Sequence, residues 1–110
     1  MNDLSRQSCR PCEGGVPPIK LGRARALLAQ VPLWTLDAPG QTLFRTFHFK
    51  NFYETIAFVN ALAYIANRED HHPDLRVSYK ECEVRYQTHA IGGLSENDFI
   101  CAAKIDALTI

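Results

Sequence analysis

The fold turns on residues 69–89, EDHHPDLRVSYKECEVRYQTH. Leu75, Val77 and Tyr79 alternate with Arg76 and Ser78, and Cys82, Val84 and Tyr86 alternate with Glu83, Arg85 and Gln87. Period-two alternation of this kind marks β-strands with one buried face. Only Lys80 and Glu81 separate the two runs, which predicts a tight hairpin. Counting outward from that pair places Leu75 near Tyr86 and His72 near His89. The polar loop before the first strand carries Asp70, His71, His72 and Pro73, and the second strand ends in Thr88 and His89. In an antiparallel hairpin the start of one strand lies beside the end of the other. The register therefore predicts that His71, His72 and His89 meet at one end of the hairpin.

The pattern repeats upstream. Lys20 to Val31 has helical spacing at Leu21, Ala24, Leu27, Leu28 and Val31, and Pro32 stops it. Leu33 to Leu36 is a short strand, residues 37–40 form a turn cluster, and Thr42 to Phe49 is a Thr- and Phe-rich strand. Asn51 to Asn67 is the clearest helix, with Asn51 as cap and Glu54 three residues on. Phe52, Ile56, Val59, Ala63 and Ala66 form one apolar stripe, and Phe58, Leu62 and Ile65 a second beside it. Together they are wider than one core contact needs, so part of this face is expected to meet another subunit. Gly92 and Gly93 end the second hairpin. Ser95 caps a last helix, with Asp98 at the third position of a capping box. The order α-β-β-α-β-β-α predicts an α+β fold, a four-stranded antiparallel sheet with helices packed on one face. Its open edges favour pairing with a second copy.

A chain of 110 residues holds one core. Residues 1–18 read as a flexible N-terminal tail closed by Pro17 and Pro18, leaving a single domain over 19–110. Twelve basic and twelve acidic residues cancel, which gives no electrostatic pull on nucleic acid or an acidic membrane. No stretch is apolar enough to span a membrane or to serve as a signal peptide, so the expected location is cytoplasmic. Cys82 and Cys101 fall within apolar patterns and read as buried reduced thiols. Cys9 and Cys12 form a CxxC in the tail, half of a zinc site with no matching second pair.

Chemistry concentrates in the histidines. His48 alternates with Phe47 and Phe49 and reads as a sheet-surface residue. Pro73 holds His72 in extended geometry, so the imidazoles of His71 and His72 point in opposite directions. Asp70 can orient one by accepting its N–H. Imidazoles titrate near neutral pH, and two facing one pocket can act as acid and base in a single step. Three could instead bind zinc, or form a solvated cluster with neither role; register alone leaves all three open.

Residues Glu69 to Phe99, EDHHPDLRVSYKECEVRYQTHAIGGLSENDF, closely resemble the pterin-4a-carbinolamine dehydratases. His-His-Pro, a strand run, Thr-His, then Gly-Leu-Ser with an acid before an apolar residue all stand in order. The likeness extends back through TFHFKNFYETIAFVNALAYIAN and Trp34, over roughly residues 20 to 108, and CRPCEGGVPP is similar to the tail of several bacterial members. The resemblance implies dehydration of 4a-hydroxytetrahydrobiopterin to quinonoid dihydropterin, which recycles the cofactor of aromatic amino acid hydroxylases such as phenylalanine hydroxylase. It implies no metal, no cofactor, and a homodimer or homotetramer. By position, His71, His72 and His89 match the family's catalytic histidines. Pro73, Thr88, Ala90 and Ile91 match substrate-contacting positions, Asp70 and Asp98 acids near the site, and Trp34 a tryptophan near the pterin. Asp98 also suits a helix cap, and Trp34 equally suits a core. Asn67 departs from members that carry an acid four residues before the first histidine, so that acid is not carried over. The competing expectations are a non-catalytic pterin-binding or transcription-coactivator module, or a role in molybdopterin metabolism.

Overall fold

The computed structural model describes residues 4–11, 17–37 and 41–108. Three helices, α1 (Leu21–Leu28), α2 (Phe52–Glu69) and α3 (Glu96–Asp106), alternate with strands β1 (Thr35–Leu36), β2 (Leu43–His48), β3 (Asp74–Val77) and β4 (Glu81–Tyr86). One antiparallel sheet joins the strands in the order β1-β2-β4-β3, as expected for the α+β arrangement. Leu43, Cys82, Val84 and Tyr86 from the sheet share one buried cluster with Phe58 and Leu62 of α2 and with Phe99, Cys101 and Ile105 of α3. The turn between β1 and β2 is held at its described end by Asp37, whose Oδ1 accepts the N–H groups of Gln41 and Thr42. The other three residues of that expected turn, 38–40, lie outside the described residues.

Local chemistry sets the boundaries of α2. Asn51 accepts the Glu54 N–H at 2.9 Å, while the Glu54 carboxylate takes the Lys50 N–H at 3.1 Å. At the other end Asp70 adopts φ 50, ψ 44, a left-handed conformation that aspartate tolerates better than most residues. The chain therefore doubles back, and His71 donates its N–H to Ala66 O at 3.1 Å. The buried stripe of α2 is Thr55, Phe58, Leu62 and Ala66. This divides the first stripe expected from the sequence, since Phe52 and Ala63 are exposed.

The hairpin forms two residues out of the expected register. Val77 pairs with Cys82 and Leu75 with Val84. Ser78 N–H bonds Glu81 O at 2.9 Å, so Tyr79 and Lys80 occupy the turn and Glu81 belongs to β4. A shift of two preserves which face each side chain takes. The expected burial of Leu75, Val77 and Tyr79 fails, with 37%, 39% and 61% of these residues exposed. β3 is one of the sheet's two edge strands, at the end opposite β1.

The N-terminal segment also departs from expectation. Leu4–Arg6 forms a 3-10 turn with Leu4 buried in the core cluster, against α3. Lys104 Nζ donates to Ser5 O, Cys9 N–H to Glu69 Oε1 at 2.8 Å, and Arg10 N–H to Asn97 Oδ1 at 2.9 Å. Residues 4–10 thus belong to the folded domain, correcting a tail that was expected to stand apart. The cause is one apolar anchor and a set of main-chain hydrogen bonds, neither of which shows as periodicity. Cys12, with its CxxC reading, lies outside the described residues.

Candidate active site

Each histidine is positioned by a different local device. His71 follows the left-handed Asp70, and Pro73 fixes the chain on entry to β3. His89 opens a 3-10 turn, His89–Ile91, that closes through left-handed Gly92 and a bridge between Thr88 and Gly93. The three histidines line one cavity of about 520 Å³, which Asp70, Thr88 and Ala90 also line. Cys9, Arg10, Pro11, Glu69, Gln87 and Asn97 complete its wall. A larger hollow of about 680 Å³ shares Cys9, Arg10 and Asn97 with it but contains no histidine. The histidine-lined cavity is therefore the smaller of the two.

Asp98 and His71 form the most ordered pair. Asp98 is fully buried, and its Oδ1 lies 2.6 Å from His71 Nε2. Its Oδ2 accepts the Thr88 hydroxyl at 2.8 Å and the Ser95 N–H at 2.9 Å. The His71 ring stacks on Tyr86 with centroids 5.2 Å apart and planes 8° from parallel. Burial opposes a charge on His71, but the hydrogen bond and negative charge of Asp98 outweigh it and raise the pKa above the ordinary 6.5. Asp98 occupies Nε2, which leaves Nδ1 as the other polar atom of the ring. Burial pushes the Tyr86 phenol well above its usual range, so that ring stays neutral. His72 and His89 are exposed at the cavity.

The remaining positions from the sequence divide. Asp98 stands behind His71, doing the work of a helix cap as well. Pro73 and Ile91 are half-buried next to the cavity-lining residues in the chain. Trp34 is not brought to the site: it is 3% exposed, donates Nε1–H to Asp106 Oδ1 at 2.8 Å and meets Phe47 edge-on. Arg45 binds the same Asp106 oxygen at 2.7 Å, so the indole sits in a satisfied core. The sequence does not single out Cys9, Arg10, Pro11, Glu69, Gln87 or Asn97 as lining the cavity. Gln87 alone carried a usable signal, sharing the phase of His89 along the strand. Among the described residues no group of three histidine, cysteine or acidic side chains is arranged to hold a metal ion.

The sequence profile described as Pterin 4 alpha carbinolamine dehydratase matches residues 17–108. A Nitrosomonas europaea protein named "Putative pterin-4-alpha-carbinolamine dehydratase" is 58% identical over 107 residues, covering 96% of this chain and 93% of its own. A Stenotrophomonas maltophilia protein of the same name is 60% identical over 108 residues, covering 96% and 91%. The crystal structure of a transcriptional coactivator/pterin dehydratase from Brucella melitensis superposes with a TM-score of 0.78 at 27% identity, over 82% of this chain and 96% of that one. A pterin dehydratase-like protein described as a RuBisCO assembly factor in the alpha-carboxysome shares the fold, with a TM-score of 0.59 at 24% identity over 67% and 86%.

Proposed function

This chain belongs to the pterin 4 alpha carbinolamine dehydratase family, and we propose that it dehydrates 4a-hydroxytetrahydrobiopterin to quinonoid dihydropterin by histidine acid–base catalysis. One observation carries this reading: His71, His72 and His89 line a single cavity, and a buried carboxylate holds His71. In the reaction the C4a–O bond breaks while its oxygen receives a proton. The N5 proton passes to a base, the N5–C4a double bond forms, and water leaves. Hydroxide alone is a poor leaving group, so the acid matters most. His71 is the acid, since Asp98 favours its protonated form, and exposed His89 is the base. His72 contacts the pterin at the cavity wall, with Asp70, Pro73, Thr88, Ala90 and Ile91 around it. Such a reaction serves aromatic amino acid hydroxylases, phenylalanine hydroxylase among them, in the cytoplasm. Among the described residues no helix is long and apolar enough to cross a membrane. A homo-oligomer is part of the proposal, supported by exposed apolar Leu75 and Val77 on the edge strand β3 and Tyr79 in the turn that follows it.

The test is stopped-flow dehydration of hydroxylase-generated carbinolamine, run beside a pterin titration. His71→Ala and His89→Ala are each expected to lower turnover by roughly 10²–10⁴-fold with the fold intact. Wild-type turnover in both variants overturns the site. Pterin binding by the wild type without turnover supports the non-catalytic reading instead.

A further inference from the structure

Two thiols that the proposed reaction does not use sit beside its cavity. Cys9, half-buried, lines the histidine cavity, while Cys101 is fully buried on α3, one turn after Asp98. Their sulfurs lie 3.5 Å apart although 92 positions separate them in the chain. The approach is held from both sides. Glu69 fixes the Cys9 main chain at 2.8 Å, and Asn97 accepts the Arg10 N–H at 2.9 Å while giving its own amide N–H to Arg10 O at 2.5 Å. Cys82, also buried, lies on β4 and has no part in this contact.

We propose that Cys9 and Cys101 form an oxidisable dithiol site that hydroperoxides close into a disulfide, fastening one wall of the histidine cavity to α3. A hydroperoxide delivers its outer oxygen to the Cys9 sulfur as its O–O bond breaks, giving a sulfenic acid and releasing the corresponding alcohol, or water when the oxidant is hydrogen peroxide. The Cys101 sulfur then attacks the Cys9 sulfur; the S–S bond forms, the S–O bond breaks, and the departing hydroxide leaves with the thiol proton as water. A disulfide needs sulfurs about 2.05 Å apart, so the pair closes by a movement of about 1.5 Å. Cys9 can make that movement because it belongs to a segment packed on the domain, whereas Cys101 is fixed in a helix. The closed site ties together chain positions that are far apart, which constrains the unfolded state strongly.

The test reads sulfur chemistry and does not depend on turnover. The reduced full-length chain is treated with hydrogen peroxide and digested with trypsin without reduction. Because Arg10 precedes proline, Cys9 and Cys12 stay in one peptide, residues 7–20, and Cys101 lies in residues 86–104. The experiment therefore uses Cys12→Ser. A cross-link between those peptides is expected, absent in Cys9→Ser, with a thermal midpoint raised by about 5 °C or more and restored by dithiothreitol. A Cys12→Ser protein in which Cys9 stops at sulfenic acid, or a wild type that forms only a Cys9–Cys12 bond, overturns the proposal.

Discussion

Asp98 Oδ1 meets His71 Nε2 at 2.6 Å, and the same carboxylate caps α3 through Ser95 and holds Thr88 at the exit of β4. One fully buried group thus joins the loop after α2, the end of the sheet and the start of α3. Asp98→Asn keeps the shape, removes the charge and replaces an acceptor by an N–H₂ that faces other donors. The pKa of His71, now raised, is expected to fall, and stability to drop by about 1–3 kcal/mol. NMR titration of the His71 ring, with urea unfolding beside it, checks both. An unmoved titration would show that the carboxylate does not govern the ring.

The same pair predicts a pH dependence of stability. The folded pKa of His71 lies above its ordinary 6.5, so the native state binds this proton more tightly than the unfolded chain does. Its contribution is complete below the unfolded value and is lost as pH rises through the folded one. The unfolding free-energy difference between wild type and His71→Gln should therefore be largest below the ordinary 6.5 and shrink as pH rises above it, through the raised folded value. A difference that stays flat or grows across that range contradicts the linkage.

Much of this arrangement is legible in the sequence, for reasons that differ by residue. Asn51, Ser95 and Asp98 announce helix starts because capping is a local contract between side chain and main chain. The meeting of His71 and His89 survived an error of two residues in the hairpin register, since both lie within a few residues of the pairing end. Tyr79 was misplaced because strand periodicity says nothing about where a turn closes; the Ser78–Glu81 bond decides that. Trp34 was open between pterin and core, and its bond to Asp106, 72 residues away, is a tertiary fact that no local pattern carries. Leu4 and Cys9 read as tail because their partners, α3 and Glu69, lie, respectively, more than 90 positions and 60 positions away in sequence.

Leu4 provides the test of that last point. It is 1% exposed in the core cluster, at the head of the segment that walls the histidine cavity. Leu4→Ala should cost about 2–5 kcal/mol, as for other large-to-small changes in a packed core. A tail residue would cost less than about 0.5 kcal/mol. Chemical denaturation separates the two values. The variant should also lose its protection of the Cys9 and Arg10 amides in hydrogen exchange, since Leu4 anchors the chain that leads to them.

Association between copies concerns the edge of the sheet. Leu75 and Val77 pair with Val84 and Cys82, so they share the face that the helices cover, yet both are exposed. With Tyr79 in the adjoining turn they leave apolar surface along a strand whose outer hydrogen-bonding edge is open among the described residues. Such edges invite pairing unless charge or proline blocks them. Light scattering after gel filtration is expected to give a multiple of 12.4 kDa for the wild type. Val77→Lys puts a charge in the middle of the apolar row, where a neighbouring copy would have to desolvate it. The mass should fall toward that of one chain, with the circular dichroism spectrum unchanged. A wild type that elutes as a monomer, or a lysine variant that keeps its full assembly, would remove the edge of β3 from any role in self-association.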